Sequence, residues 1–349
     1  MAQRERKYQE TIVPFTAGDG FKCNLINVRG GPSKPPTKGP VLLVHGAGVR
    51  ANIFRAPVQT SIVDYLIAHG YDAWLENWRA SIDLSPNDWN LDQAALYDHP
   101  EAVKTVVRET GADGIKVILH CQGSTSFMMS AIAGLVPEVN TIVSNAVSLH
   151  TIVPRLSVFK ANFVLPVLRR FTSNLNPQWG LHAPTLPAKV LSFLVGLTHH
   201  ECDNPVCKQV SFTYGAGFPA LWRHENLNRA THEWLKGEFA FVPLSFFEHI
   251  AKCVRKGNLV SVNGGKQLPR DFAAEPPKTD ARFSFFAGKK NCCFLSESQV
   301  KTFSYFNRLR NDYHSLHILP TYSHLDIFMG QHAAKDVFPL MLQELDKPN

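Results

Sequence analysis

The strongest constraint on the fold is a regular alternation of strand and helix patterns over the first 150 residues. Apolar runs such as VLLV at 41–44 and KVIL at 116–119 end in short polar or glycine-containing turns, which is typical of strands covered on both faces. Segments 52–70 and 92–111 repeat apolar residues at helical spacing. This order predicts an α/β fold, with a mostly parallel central sheet and helices on both faces.

A long interruption divides this pattern into a core and an insertion. Between about residues 151 and 277 the alternation stops, and the sequence becomes helical and rich in aromatic, proline and histidine residues. The alternation resumes with a strand pattern at 281–288 and closes with a helix pattern at 333–345. We therefore predict a core formed by residues 1–150 and 278–349 and a helical cap, or lid, inserted at 151–277.

Composition excludes several classes of protein. The chain of 349 residues has 44% hydrophobic and 19% charged residues, so it is too apolar to be disordered. Its net charge of +7 is spread along the chain rather than gathered in one stripe, and we expect no nucleic-acid partner. No run of about 18 uninterrupted apolar residues occurs, so we expect no stable membrane insertion.

The N-terminal segment and the cysteines bear on cellular location. The opening MAQRERKYQETIV lacks the apolar stretch of a secretory signal peptide. Seven cysteines are scattered along the chain, without the spacing of a disulfide framework. These two features predict a protein of the reducing cytoplasm with free thiols. The sequence is also compatible with a homo-oligomer.

Three polar segments follow predicted strands: HGAG at 45–48, HCQGS at 120–124 and YSHLD at 322–326. The carboxyl ends of parallel strands meet at one edge of a sheet, which is where open α/β sheets place their sites. HCQGS lies between a strand pattern and the helix pattern TSFMMSAIAGL. That is the layout of a nucleophile elbow, and Cys121 stands at the position of the nucleophile.

These segments resemble the α/β-hydrolase superfamily, whose catalytic residues occur in the order nucleophile, acid, histidine. The closer resemblance is to α/β-hydrolase domains attached to, or encoded beside, cholesterol-oxidase-like flavoproteins. It rests on the His-Cys-x-Gly elbow, the HG strand end, NWRASIDL, HHECDNPVC and the tail HLDIFMGQHAAKDVFP. Polyhydroxyalkanoate synthases, which also carry a cysteine in the elbow, are more distantly similar.

The resemblance implies a role for each matching residue. Cys121 matches the nucleophile, and His324 matches the general base. The backbone N–H of Gln122 and an N–H of the HGAG loop, that of Ala47 beside Gly46, match the oxyanion hole. Such donors stabilise the negative charge of a tetrahedral intermediate, and losing one costs about 10²–10³ in rate.

Two positions depart from the superfamily pattern. Leu119 stands where the elbow consensus has glycine, so we expect a looser turn. The position of the acid holds Asn291, which carries no negative charge. An amide oxygen that accepts the ring N–H of His324 can still orient the imidazole beside a thiolate, as in Cys-His-Asn proteases. Asp326 is the alternative orienting group.

The reaction class that these residues indicate is acyl transfer. A thiolate that attacks an ester or thioester forms a thioester acyl-enzyme. Transfer to water makes the protein a carboxylesterase, lipase or lactonase for a bulky hydrophobic ester, which is the function we expect. Transfer to a hydroxyl would make it an acyltransferase or polyester-synthase-like enzyme, and a chain without turnover would be a ligand-binding homologue. We expect no cofactor and no metal.

A second cluster of polar residues lies inside the predicted cap. The segment THHECDNPVC places His199, His200, Cys202 and Cys207 within nine residues. Zinc sites more often use a tighter cysteine pair with a distant second pair. The sequence therefore leaves three interpretations open: a metal site, a disulfide in the cap, or structural thiols with polar histidines.

Overall fold

The core of the protein is an eight-stranded sheet, seen in a computed structural model that describes residues 8–31, 35–263 and 267–348. The strands of the chain are β1 (Tyr8–Thr16), β2 (Lys22–Gly30), β3 (Pro40–Val44), β4 (Asp72–Asn77), β5 (Ile115–His120), β6 (Val139–Asn145), β7 (Asn174–Leu175), β8 (Val242–Pro243), β9 (Arg282–Gly288) and β10 (Ser315–Leu319). All but β7 and β8 belong to the large sheet, in the order β1-β2-β4-β3-β5-β6-β9-β10.

Most neighbouring strands of this sheet run parallel. From β4 to β10 every pairing is parallel, whereas β1 and β2 form an antiparallel hairpin and β2 pairs antiparallel with β4. A parallel pair needs a long crossover connection, and helices supply these connections. The predicted α/β class with a mostly parallel sheet is confirmed.

Helices connect the strands and cover the sheet. They are α1 (Ile62–Ala68), α2 (Leu91–Gln93), α3 (His99–Thr110), α4 (Gln122–Ile132), α5 (Arg155–Phe159), α6 (Leu165–Leu168), α7 (Leu186–Thr198), α8 (Pro205–Tyr214), α9 (Arg229–Trp234), α10 (Leu244–Lys256), α11 (Glu297–Leu309), α12 (Asp326–Met329), α13 (Ala333–Asp336) and α14 (Phe338–Asp346). Two π-helical turns, Ala94–Asp98 and Lys160–Val164, join α2 to α3 and α5 to α6. Among the described helices, none has the length and apolarity needed to cross a membrane.

Strand β3 shows how the two faces of the sheet are covered. Val41 and Leu43 belong to one core cluster, together with side chains of α1 and α14 such as Met341. Leu42 and Val44 belong to the other, with residues of α3 and α4. Successive strand residues point to opposite faces, so an uninterrupted apolar run is the pattern that a strand buried on both sides requires.

Two predicted helices are interrupted, and proline accounts for both interruptions. The pattern at 52–70 predicted one helix, but the chain forms a 3-10 turn at Ala51–Arg55 and begins α1 only at Ile62. Pro57 lies in the gap and has no N–H to donate, and Ser61 then starts α1 with a capping box. The predicted closing helix is likewise split into α13 and α14, because Pro339 cannot donate to the preceding turn.

Residues 151–277 lie outside the large sheet. This segment connects β6 to β9, which pair side by side, and it contains α5 to α10 and the short β7–β8 pair. It has a small apolar cluster of its own, formed by Leu175, Trp179, Ala188 and Leu244. Other parts of it, such as Trp222 and Phe239, pack into the core cluster around α1 and α14.

A buried ion pair fixes the loop that follows β4. The guanidinium of Arg79 donates to both carboxylate oxygens of Asp98, with a shortest contact of 2.6 Å, and also to Asp19 at 2.8 Å. The side chains of Arg79 and Asp98 are 2% and 0% exposed. Removing one partner of a buried pair leaves the other charge without compensation, which makes such pairs costly to break.

We expect Asp98→Ala to lower the free energy of unfolding by about 3–5 kcal/mol, because Arg79 then keeps only the partly exposed Asp19. Urea denaturation followed by circular dichroism measures this change. Glu109→Ala is the matched control, since Glu109 pairs with Arg108 on the surface and such pairs contribute little. Equal effects of the two substitutions would contradict the structural role assigned to Arg79.

Candidate active site

Cys121 lies in a sharp turn between β5 and α4. Its backbone has φ 55° and ψ −120°, a conformation that is strained for any residue with a side chain. The turn is held on both sides, because the N–H of Cys121 donates to the carbonyl of Asn145 at 3.2 Å and its own carbonyl accepts the N–H of Ser124 and Thr125. Residues whose strained backbone is held in place by surrounding hydrogen bonds cluster at functional sites.

Two glycines allow the turn to pack closely against the end of β3. A Cβ at Gly123 would lie 2.3 Å from the carbonyl oxygen of His45, and one at Gly46 would lie 2.9 Å from the Cβ of Cys121. Either contact is far below a normal van der Waals distance. These glycines therefore bring the predicted oxyanion loop and the predicted nucleophile together.

Leu119 is accommodated without opening the turn. Its side chain is fully buried in the core cluster on the α3 and α4 face of the sheet, together with Leu42 and Phe127. The strand residue two positions before Cys121 therefore points away from the functional edge. The looser turn that we expected from this substitution is not seen, since Cys121 keeps its hydrogen bonds on both sides.

His324 lies next to Cys121 in the loop after β10. One of its ring nitrogens is within 4.8 Å of the Cys121 sulfur, as is a ring nitrogen of His120. Asn291 contacts Nδ1 of His324 at 3.0 Å, which leaves Nε2 for the thiol. Nε2 is buried and has no hydrogen-bond partner in the part of the chain that the structure describes. The backbone N–H groups of His324 and Leu325 both donate to the carbonyl of Leu221, at 3.2 and 2.8 Å.

The Asn291 side chain has the opposite orientation to the one we expected. Its amide oxygen accepts the backbone N–H groups of Cys293 and Phe294, at 2.9 and 3.2 Å. Those two donors direct the amide nitrogen toward Nδ1 of His324. Asn291 thus donates to the ring instead of accepting from it. An amide nitrogen can only donate, so Nδ1 of His324 accepts in this contact, and Nε2 is the ring nitrogen left to face the thiol.

Asp326 binds backbone and side-chain donors at the start of α12. Its carboxylate accepts the N–H of Ser323 at 2.8 Å, the N–H of Arg223 at 3.1 Å and the amide of Asn226 at 2.7 Å. Burial raises the pKa of Asp326 to about 6 against the lowering effect of these donors. Asn291, and not Asp326, contacts Nδ1 of His324, so Asp326 shapes the loop instead.

The environment of Cys121 favours its thiolate. Burial raises the pKa of this thiol, but a hydrogen bond from Cys293, the interaction with His324 and the backbone N–H of Gln122 outweigh burial and lower it below the ordinary value. The same hydrogen bond, together with burial, raises the pKa of Cys293. Cys293 therefore remains protonated and acts as a donor. Sequence analysis did not identify it, because nothing in the CC pair at 292–293 indicates which thiol faces the elbow.

Two cavities meet at Cys121. A small one is lined by Gly46, Ala47, His324 and Tyr214 in addition to Cys121. The hydroxyl of Tyr214 is buried, and no described residue forms a hydrogen bond with it. Burial and then the charge of Cys121 raise its pKa well above the ordinary value, so it stays protonated. Tyr214 is a second residue that sequence analysis missed, since it belongs to a segment without strand periodicity.

The second cavity is larger and mostly apolar. It extends from Cys121 and Gln122 beneath the helices of the 151–277 segment. Its apolar lining includes Val164, Leu168, Leu175, Phe246, Phe247 and Ile250. Enzyme pockets for hydrophobic ligands have this composition, with a few polar groups at one end.

Known proteins similar to this chain include lipases. Human lipase member K is 22% identical to it, over 95% of this chain and 86% of that protein. Lipase 1 of Drosophila melanogaster is 25% identical, over 78% of this chain and 61% of that protein. No protein-family model matches the chain.

Solved structures show the same fold. A soluble variant of monoglyceride lipase from Saccharomyces cerevisiae, in complex with a substrate analogue, superposes with a TM-score of 0.62. The two chains are 13% identical, and the alignment covers 99% of this chain and 97% of the other. The mostly parallel sheet and this likeness show that the chain has the α/β-hydrolase fold.

Proposed function

We propose that the protein is an ester-bond hydrolase that uses Cys121 as its nucleophile, with His324 and Asn291 as its partners. The observation that carries this proposal is the position of the Cys121 thiol. It lies on a strained elbow, its pKa is lowered, and a ring nitrogen of His324 is within 4.8 Å of the sulfur. The lipases among its relatives favour the hydrolysis of ester bonds.

In the first step the thiolate of Cys121 attacks the ester carbonyl. The carbonyl carbon gains a bond to sulfur, and its oxygen becomes an oxyanion. The backbone N–H groups of Ala47 and Gln122 are the donors we assign to this oxyanion, and Gly46 allows the loop to approach. The protonated hydroxyl of Tyr214, which lines the same cavity, is a further donor. Collapse of the intermediate expels the leaving group and gives a thioester acyl-enzyme.

The orientation of Asn291 restricts which leaving groups depart easily. A thiolate needs no base to remove a proton before it attacks. An alkoxide, however, is a strong base and needs a proton as it departs, which His324 can supply only as an imidazolium. The amide nitrogen of Asn291 opposes that form. Phenolates and thiolates leave without protonation, so we propose that aryl esters and thioesters are better substrates than alkyl esters.

The 151–277 segment supports a hydrophobic acyl group as the substrate. We propose that it is a cap, because its helices cover the apolar cavity that leads from Cys121. The helical run from α5 to α6 turns Val164 and Leu168 toward this cavity, and it leaves Phe159 and Phe163 51% and 63% exposed. Large exposed apolar side chains of this kind mark interaction surfaces. We propose a substrate from a lipid or micellar phase, because the exposed apolar side chains can contact that phase while the cavity binds the acyl group.

The leaving-group argument predicts the effect of Asn291→Asp. One carboxylate oxygen can keep the N–H contacts of Cys293 and Phe294, while the other accepts the Nδ1 proton of His324. We expect kcat/KM for an alkyl ester such as ethyl butyrate to rise by about 10²-fold, because general acid catalysis becomes available. We expect p-nitrophenyl butyrate, which has the same acyl group, to change much less.

Steady-state assays with both esters make this comparison. Cys121→Ala is expected to abolish hydrolysis of both, and Cys253→Ala, which removes another buried thiol, is expected to leave both unchanged. Full activity in Cys121→Ala would exclude the proposed nucleophile. An equal change for the two esters in Asn291→Asp would exclude the proposed role of the amide orientation.

The hydrogen bond from Cys293 predicts how alkylation of Cys121 depends on pH. Because Cys121 has a lowered pKa, we expect iodoacetamide to alkylate it at a pH below that needed by an ordinary thiol. Cys293→Ala removes a donor to the thiolate, so the midpoint of the pH–rate profile should move upward. Peptide mapping after timed alkylation measures the rate at Cys121 alone. Cys292→Ala is the control and should leave the midpoint in place; an unchanged midpoint in Cys293→Ala would refute this assignment.

A further inference from the structure

We propose that Cys202, Cys207, His224 and His232 bind one zinc ion, which joins α8 and α9 to the turn that follows the backbone in contact with the His324 loop. The structure places one potential ligand atom of each of these four residues within 4.8 Å of all the others. The site lies apart from Cys121, and its occupancy does not depend on whether the protein hydrolyses esters. It departs from our expectation that the chain binds no metal.

The geometry of the cluster fits a tetrahedral ion. Zinc bonds of about 2.0–2.3 Å to nitrogen and sulfur separate tetrahedral ligands by about 3.3–3.8 Å. The sulfur of Cys207 lies 3.5 Å from Nε2 of His224, inside that range. The rings of His224 and His232 meet edge to face with centroids 4.9 Å apart, so two imidazole nitrogens can face one point without a ring clash.

An unsatisfied atom also points to a ligand. Nε2 of His232 is buried and has no hydrogen-bond partner among the described residues. A buried polar atom without a partner is costly, and a metal bond removes that cost. Cys207 is fully buried as well. Two thiolates and two imidazoles are a ligand set of structural zinc sites, and soft sulfur ligands disfavour magnesium or calcium.

Asn204 holds the ligands in place before any metal binds. Its side-chain oxygen accepts the N–H groups of Val206 and Cys207, at 3.0 and 3.1 Å, and so caps α8. Its side-chain nitrogen donates to the carbonyl of His232 at 2.8 Å. One side chain thus fixes the start of α8 relative to α9. Supporting contacts of this kind orient the ligands of metal sites.

The histidines of the sequence cluster are not the ligands. His200 is exposed, and its ring contacts the carbonyl of Leu197 at 2.8 Å. His199 packs its ring against Phe218, with centroids 4.7 Å apart. The ligands that complete the set come from farther along the chain, His224 in the 3-10 turn His224–Asn226 and His232 in α9.

The position of the cluster suggests what the ion does. His224 directly follows the segment in which the carbonyl of Leu221 accepts the N–H groups of His324 and Leu325. The N–H of Arg223 donates to Asp326 in the same loop. An ion that joins His224 to α8 and α9 would therefore hold the backbone on which His324 rests. We assign it a structural role, since all four positions are protein ligands.

Metal analysis of the purified chain tests this proposal without any substrate. We expect about one zinc per chain by inductively coupled plasma mass spectrometry. His232→Ala and Cys207→Ala should lose that zinc, whereas the matched controls His200→Ala and Cys253→Ala should keep it. Cobalt in place of zinc should give the strong visible absorption of a tetrahedral thiolate site. If the variants do not fold, removal of zinc from the wild-type chain by a chelator should lower its melting temperature, and zinc should restore it.

Two results would overturn the proposal. One is a wild-type chain that contains no zinc after expression with zinc and shows no tetrahedral cobalt spectrum. The other is a Cys202–Cys207 disulfide in freshly purified protein, seen as a mass lower by two hydrogens and a crosslinked peptide. Ester hydrolysis is measured on the same samples. Failure of the zinc proposal is thereby distinguished from failure of the proposed function, because a metal-free chain can still be an active esterase.

Discussion

The strained turn at Cys121 is the constraint on which the rest of the site depends. A residue with a side chain can keep φ 55° and ψ −120° only if its surroundings hold it there. The carbonyl of Asn145 accepts the N–H of Cys121, and the first turn of α4 donates to the carbonyl of Cys121. Gly46 and Gly123 let the turn pack closely against the end of β3. The result is a thiol at the start of a helix, where backbone N–H groups and the helix dipole favour negative charge.

Segments far apart in sequence position His324, Asn291 and Cys293 around Cys121. Backbone contacts from Leu221 position the loop of His324. The loop after β9 contributes both Asn291 and Cys293, one to the ring and the other to the thiol. Cys293 donates to the sulfur of Cys121 and the amide nitrogen of Asn291 donates to the ring of His324, so one loop supports both groups. A serine nucleophile has a different requirement, because its hydroxyl must lose a proton to the histidine during attack.

Periodicity was sufficient to predict the sheet and its helices. The apolar run of β3, for example, predicted a strand buried on both faces. Each predicted helix that is interrupted contains a proline, which the periodicity alone did not take into account. The meeting of Cys121, His324 and Asn291 was also predictable, because all three follow parallel strands at one edge. The amide orientation of Asn291 was not, since it depends on two backbone N–H groups that appear only in the folded loop.

Residues contributed by the 151–277 segment were beyond sequence analysis for a physical reason. Among its described residues this segment forms only the two-stranded β7–β8 sheet. No large sheet gives its elements a common direction, so nothing in the pattern brings Tyr214 to Cys121 or His224 and His232 to Cys207. Their positions follow from tertiary packing of short helices against the core. The clusters they form are visible only from the coordinates.

Intact-mass spectrometry tests the central claim most directly. The protein is mixed with p-nitrophenyl butyrate, quenched in acid after short times, and digested to locate any added butyryl group. The account predicts one butyryl group per chain in the wild type, on Cys121, and none in Cys121→Ala. A butyryl group on another residue, or p-nitrophenol release by Cys121→Ala at the wild-type rate, would contradict it.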